Sequence, residues 1–259
     1  MLKRGIERIG EKVIGAIEEI GQMTSMLVSA LVWMVRPPFR VRVIFQNFES
    51  VGVGSLFIVL LTGLFAGLVL AYQSDMAFRM FNAETLVGAT VAISLLRELG
   101  PVFTGLMVAG RTGSAMTTEL GTMRVTEQID AMSVMAVNPI QYLVMPRVLA
   151  TTLMVPVLNM LFNLVGIGAA YVLSVWVMNS DPGIFLHHIT RFISGQDFLF
   201  SSIKAASFGL IIGLVGCYKG FYASGGAKGV GEATTSSVVT SSITILLVDY
   251  ALTLMMWSL

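Results

Sequence analysis

Val51-Gly-Val-Gly-Ser-Leu-Phe-Ile-Val-Leu-Leu-Thr-Gly-Leu-Phe-Ala-Gly-Leu-Val-Leu-Ala71 contains no charged residue and runs directly into Tyr72. About 20 apolar helical residues cross a bilayer core, and tyrosine favours its water boundary. This stretch therefore reads as a membrane span, and four more follow. Residues 86–110 are long enough but carry Arg97, Glu98 and Pro101. Residues 148–178 are uncharged and exceed one crossing, which predicts a tilt or a kink at Pro156. Residues 198–218 are apolar apart from Lys204, and residues 237–257 apart from Asp249. The expected fold class is an all-α polytopic membrane protein with five transmembrane helices.

Composition points the same way. Of 259 residues, 55% are hydrophobic and 12% charged, against roughly a quarter charged in a soluble domain. Mean hydropathy is +0.82. These values exclude a soluble globule, intrinsic disorder and a coiled coil. A net charge of +1 gives no basic excess for nucleic acid. Cys217 stands alone, so no internal disulfide is available.

Residues 1–50 differ from the remaining 51–259, which read as one five-span domain. Ile6, Ile9, Val13, Ile17 and Ile20 recur at helical spacing, with charged residues elsewhere on the wheel. The pattern predicts an N-terminal interfacial amphipathic helix. Residues 23–35 are short for a span and stop at Arg36, Pro37 and Pro38. They are expected to be interfacial or re-entrant, a sixth span being the alternative. The long, mixed-sign charged region argues against a signal peptide. With the N-terminus inside, Lys3, Arg4, Arg8, Lys12, Arg36, Arg40, Arg42, Arg111, Arg124, Arg147, Lys219 and Lys228 are cytoplasmic. Only Arg79 and Arg191 fall outside. That bias predicts a cytoplasmic N-terminus and a C-terminal Leu259 on the opposite side.

The expected cytoplasmic loop, residues 111–147, is the most informative polar stretch. Thr126 is placed to cap a short helix, with Glu127 and Asp130 near its positive end. Leu120, Met123, Ile129 and Met132 supply an apolar side. From these residues alone, a helix resting on the bilayer and a helix docking into a partner both fit.

Three further stretches complete the pattern: Leu95-Leu-Arg-Glu-Leu-Gly-Pro101, Ala109-Gly-Arg-Thr-Gly-Ser-Ala115 and Glu119-Leu-Gly-Thr-Met-Arg-Val-Thr-Glu-Gln-Ile-Asp-Ala131. With Asn138-Pro139 and Pro146-Arg147, they closely resemble the MlaE (YrbE-like) family of ABC-transporter permeases. The resemblance runs from about residue 40 to the C-terminus. It implies a homodimeric permease in a Gram-negative inner membrane that moves phospholipids between inner and outer membranes and keeps the outer leaflet asymmetric. It also implies a cytoplasmic ABC ATPase, which would hold ATP and Mg, a periplasmic MCE-domain protein and a small STAS-domain protein. On this resemblance the coupling element spans residues 126–132, with Glu119, Arg124, Thr126, Glu127, Gln128 and Asp130 as its polar residues.

The chain itself offers no nucleotide cradle. Residues 225–231 are Gly-rich, yet no Gly-Lys-Ser/Thr follows and no strand precedes, so a flexible turn is expected there. The permease is therefore expected to be no enzyme and to hold no cofactor.

Arg97, Glu98, Lys204 and Asp249 are ionisable groups inside spans. Each costs roughly 2.5–3.5 kcal/mol at a helix centre. Their balanced signs predict a neutral cluster that either locks helices together or lies beneath a lipid headgroup. Gly63 and Gly67 predict close helix packing. Leu64, Leu68, Leu70, Tyr72, Met76 and Phe78 approach the far end of the first span. They serve equally as lipid-facing side chains or as an acyl-chain wall, and the family resemblance favours the wall. His187 and His188 have no third partner at metal-ligand spacing, so no metal site is expected. Ser114 is expected at the opposite end from both histidines, which argues against an intramembrane protease. The runner-up reading is a non-transporting scaffold that anchors an ATPase and a periplasmic lipid-binding protein. An ion channel ranks third, since the spans lack rings of like charge.

Overall fold

The computed structural model describes the backbone of residues 2–37 and 40–257, with the side chains of 2–13, 16 and 257 excepted. Among the described residues every regular element is helical. Five stretches are long and apolar enough to cross a membrane: Val41–Arg79, Glu84–Val125, Ile140–Val177, Gly195–Phe221 and Gly226–Met256. The protein is an all-α polytopic membrane protein.

Helix α1 (Leu2–Val35) is one continuous helix, so residues 23–35 form its C-terminal part and not a separate hairpin, and α1 is not among the five stretches long and apolar enough to cross a membrane. Met26 and Ala30 are buried against Leu143, Val144 and Met145. Tyr218 donates its hydroxyl to Gln22 Oε1 at 2.8 Å, and Lys219 pairs with Glu19. The opposite side leaves Ile14, Ile17 and Ile20 exposed as an apolar row. The side chains of Ile6, Ile9 and Val13 lie outside the described residues, as does Leu259. Helix α2 (Val41–Arg79) begins before residue 51, so the division expected at 50/51 falls inside a helix.

The second span is built from α3 (Val87–Ser94), a π-helical turn at Leu95–Leu99, α4 (Gly100–Val108), a second π-turn at Ala109–Gly113, and α5 (Ser114–Val125). The helix therefore runs on well beyond Gly110, where a loop was expected. Polar side chains that suggest a loop are absorbed by the helix itself. Ser114, Thr117, Thr118, Thr122 and Thr126 each donate a hydroxyl to the carbonyl four residues earlier. The Ser114 hydroxyl faces the carbonyls of Gly110 and Arg111, on its own helix.

After α6 (Gln128–Val134), a π-turn at Ile140–Val144 leads into α7 (Met145–Val172), which holds Pro156. Helix α8 (Pro182–Phe192) is short and amphipathic, capped by Asp181 accepting from the Ile184 N–H. It carries the exposed His187. Helices α9 (Gly195–Phe221) and α10 (Gly226–Trp257) complete the bundle. Helix α10 starts inside the Gly-rich stretch expected to be a turn, with left-handed Gly225 and Gly226 opening it.

Helices α2 and α7 approach most closely at two glycines. A Cβ on Gly63 would stand 2.9 Å from the Phe162 carbonyl oxygen, and one on Gly67 would overlap the Gly166 carbonyl. Gly67→Ala is therefore expected to cost about 1–3 kcal/mol by overpacking. Thermal unfolding in detergent should show a lower midpoint for it than for Gly168→Ala, where nothing lies within 4 Å. Around this contact, Val59, Leu95, Leu158, Phe162, Phe208, Ile212 and Ile245 form the buried core.

Candidate functional site

Pro101 has no N–H, so the Arg97 carbonyl lacks its partner in the α register. The π-turn at Leu95–Leu99 sits immediately before it. Such turns carry an extra residue in the helix and recur at functional sites. Lys204, from α9, takes the Arg97 carbonyl with Nζ at 3.0 Å. The same ammonium donates to Glu98 Oε2 at 2.7 Å and to Thr253 Oγ1 at 2.7 Å. Asp249 Oδ1 stands 3.1 Å away as an ion pair. Lys204 is only 2% exposed, so its charge is held in the bundle by four surrounding oxygens. A buried ammonium is tolerable only in such an arrangement.

Of the four ionisable residues expected to form one cluster, Glu98, Lys204 and Asp249 meet. The Arg97 side chain does not join them. Its Nε donates to Asp197 Oδ1 at 2.7 Å, and only its carbonyl touches Lys204. The physical reason is that successive residues of a helical turn, here the π-turn, point to different sides, which sends Arg97 and Glu98 in different directions. Asp197 is also bound to the Ser194 N–H and hydroxyl, at 2.8 and 3.0 Å. Sequence reasoning missed Asp197 and Thr253, although each had a signal. Ser194-x-x-Asp197 has capping-box spacing, and Thr253 lies one helical turn after Asp249.

One cavity holds this cluster and a second reaches its chain neighbour Leu99. One is polar, about 270 Å³, and is lined by Arg97, Glu98, Ser194, Gln196, Asp197, Phe200, Lys204, Thr253 and Met256. It opens at the end of the bundle where α9 begins. The other is an apolar groove of about 500 Å³ between α2 and the second span. Leu61, Thr62, Phe65, Ala66, Val69, Leu70, Leu99, Phe103 and Met107 line it. Thr62 donates its hydroxyl to Ile58 O and Val59 O, which removes its polarity from the groove. Of the six side chains expected to form an acyl-chain wall, only Leu70 belongs to this groove. Leu64 and Leu68 are partly buried outside it. Tyr72 and Met76 are exposed beyond it, and Phe78 packs on the main core. Apolarity alone does not tell which side of α2 faces the second span. Adjacent residues on the π-turn thus face opposite chemistries: Glu98 the polar pocket and Leu99 the apolar groove.

At the other end lies the expected coupling region. Thr126 does not cap α6. It closes α5 instead, donating to Thr122 O and accepting from Gln128 Nε2 at 3.0 Å. The capping position belongs to Glu127, in the left-handed conformation at φ 60° with no side-chain cap. Asp130 pairs with Arg124 at 2.5 Å, and Glu119 pairs with the buried Arg147 at 2.8 Å. Ile129 anchors α6 to the bundle, whereas Val134 and Met135 are 88% and 67% exposed. Among the described residues no three His, Cys, Asp or Glu side chains gather as a metal site.

Comparison with known proteins places this architecture. The permease MlaE family model matches residues 44–255. A probable ABC transporter permease protein of Rickettsia bellii is 39% identical over 98% of both chains. Another, from Synechocystis sp., is 42% identical over 82% of this chain and 81% of its own. The intermembrane phospholipid transport system permease protein MlaE of Haemophilus influenzae is 36% identical over 99% of both. The chain belongs to the MlaE permease family and is the permease of an ABC transporter.

Proposed function

We propose that this permease carries phospholipids, and that the π-turn beside Pro101 is where it handles them. The observation behind this reading is the paired chemistry at Glu98 and Leu99, a polar pocket for a headgroup next to an apolar groove for acyl chains. Like the Haemophilus protein named for intermembrane phospholipid transport, it would serve exchange between inner and outer membranes and outer-leaflet asymmetry. Two copies would face each other, closing their grooves into one cavity. A separate cytoplasmic ATPase would bind ATP and Mg and drive the change through α6. A periplasmic MCE-domain protein would receive or deliver lipid, with a STAS-domain protein on the ATPase. The setting is a Gram-negative inner membrane, with the N-terminus cytoplasmic and the C-terminus periplasmic, as the basic-residue bias supports. This chain would bind and orient lipid and perform no bond chemistry.

The test is ATP-dependent transfer of labelled phospholipid by the reconstituted complex. Leu99→Glu with Phe103→Glu places charge on the groove wall and should reduce transfer at least about tenfold, since apolar burial is lost. Complex assembly should remain. Unchanged transfer in this variant would favour the scaffold reading and defeat this one.

A further inference from the structure

Resting on the phospholipid reading above, we infer that the polar pocket selects an ethanolamine-type headgroup, through its ammonium, over anionic phosphatidylglycerol. Among the described residues, the joined ionic groups are Arg97 and Lys204 against Glu98, Asp197 and Asp249, a formal excess of one negative charge. The donors of Lys204 are taken: its three N–H bonds face four oxygens. Arg97 Nε is given to Asp197, and the Ser194 hydroxyl is given to the same carboxylate; the rest of the Arg97 guanidinium, 36% exposed, lines the same pocket as a cation suited to the phosphate that both lipids share. The Glu98 carboxylate differs from them. Its side chain is 40% exposed while Lys204 beneath it is 2% exposed. Its Oε1 receives only a long 3.3 Å contact from Thr253. Beside that cation, the group that can tell the two headgroups apart is the Glu98 carboxylate, an exposed acceptor carrying negative charge. A primary ammonium supplies N–H donors and the opposite charge, forming a charge-assisted hydrogen bond. A glycerol headgroup on an anionic phosphate supplies no cation and meets the excess negative charge unfavourably.

Glu98 lines the pocket and its chain neighbour Leu99 the groove, so a lipid bridging the two would place its tails beside Leu99 and its headgroup at Glu98. Selection would therefore act on the lipid being carried.

The experiment uses the assembled transporter in vesicles of equal phosphatidylethanolamine and phosphatidylglycerol, with transferred lipid identified by mass spectrometry. The wild type should transfer the ethanolamine lipid about fivefold or more over the glycerol lipid, the scale of one charged contact. Glu98→Gln should bring the ratio close to one, and Glu98→Asp, which keeps the carboxylate, should retain a preference. Transfer by the wild type without preference, or favouring phosphatidylglycerol, overturns the inference and leaves the lipid-permease reading standing. A preference that persists in Glu98→Gln overturns the assignment to this pocket. Transfer of neither lipid by the wild type removes the phospholipid reading, and this inference with it.

Discussion

Lys204→Met should abolish lipid transfer and lower the amount of permease in the membrane severalfold. Methionine fills a similar length with no charge, so packing is largely kept. What is lost is the cation between Glu98 and Asp249, 2.7 and 3.1 Å from the ammonium. Removing one partner of a buried pair costs about 3–5 kcal/mol because the other is left uncompensated. The Glu98 side chain is 40% exposed, so water offsets part of its share. Asp249, at 17%, bears more of it. A second variant separates folding from function. Lys204→Met with Glu98→Gln and Asp249→Asn removes all three charges and should restore abundance in the membrane, measured by quantitative blotting. Transfer should stay lost if the charges serve the lipid. Recovery of both abundance and transfer would reduce the cluster to a structural lock. Arg97→Gln should be milder for abundance, since its guanidinium pairs with Asp197 at the rim and not with the triad.

The five spans were legible because uncharged apolar length is a strong signal, and so were the residues that violate it. Lys204 and Asp249 each stand alone in an apolar helix, and their cost demands a partner. Which partner was not legible, because it depends on helix rotation. Arg97 and Glu98 are neighbours in sequence, yet the π-turn and Pro101 send one toward Asp197 and the other toward Lys204. The extension of the second span to Val125 was hidden for a different reason. Serine and threonine are weak helix formers by themselves, and only their hydroxyl bonds to the preceding turn reveal that the helix accommodates them. The side of α2 that forms the groove was illegible too. Leucine and phenylalanine suit lipid, core and cavity equally, so of the groove residues Leu70 was singled out from the sequence and Leu61, Phe65 and Val69 were not.

Charge reversal of Glu127 and Asp130 together to lysine is expected to detach the ATPase or to uncouple it, with the permease still inserted. Helix α6 is held to the bundle by Ile129, 1% exposed, and by the Arg124–Asp130 pair. Both Glu127 and Asp130 are exposed, so reversing them leaves the apolar anchor in place. Glu127 also starts α6, where negative charge suits the helix N-terminus and lysine does not. That local penalty is small, about 0.3–1 kcal/mol, too little to unfold a five-span bundle. The larger effect is expected at the proposed docking surface. Val134 and Met135 present apolar area beside these carboxylates, the combination of apolar centre and charged rim that transient partners use. Reversal of two rim charges acts on encounter and register, so co-purified ATPase should fall at least about tenfold. Met135→Asp should produce the same loss without touching either carboxylate. The two variants together distinguish docking from helix stability, since Met135 lies just past α6 and holds none of its caps by a side chain. Full ATPase recovery and normal transfer in both would place the coupling contact elsewhere, with the pair Glu119–Arg147 as the nearest remaining candidate.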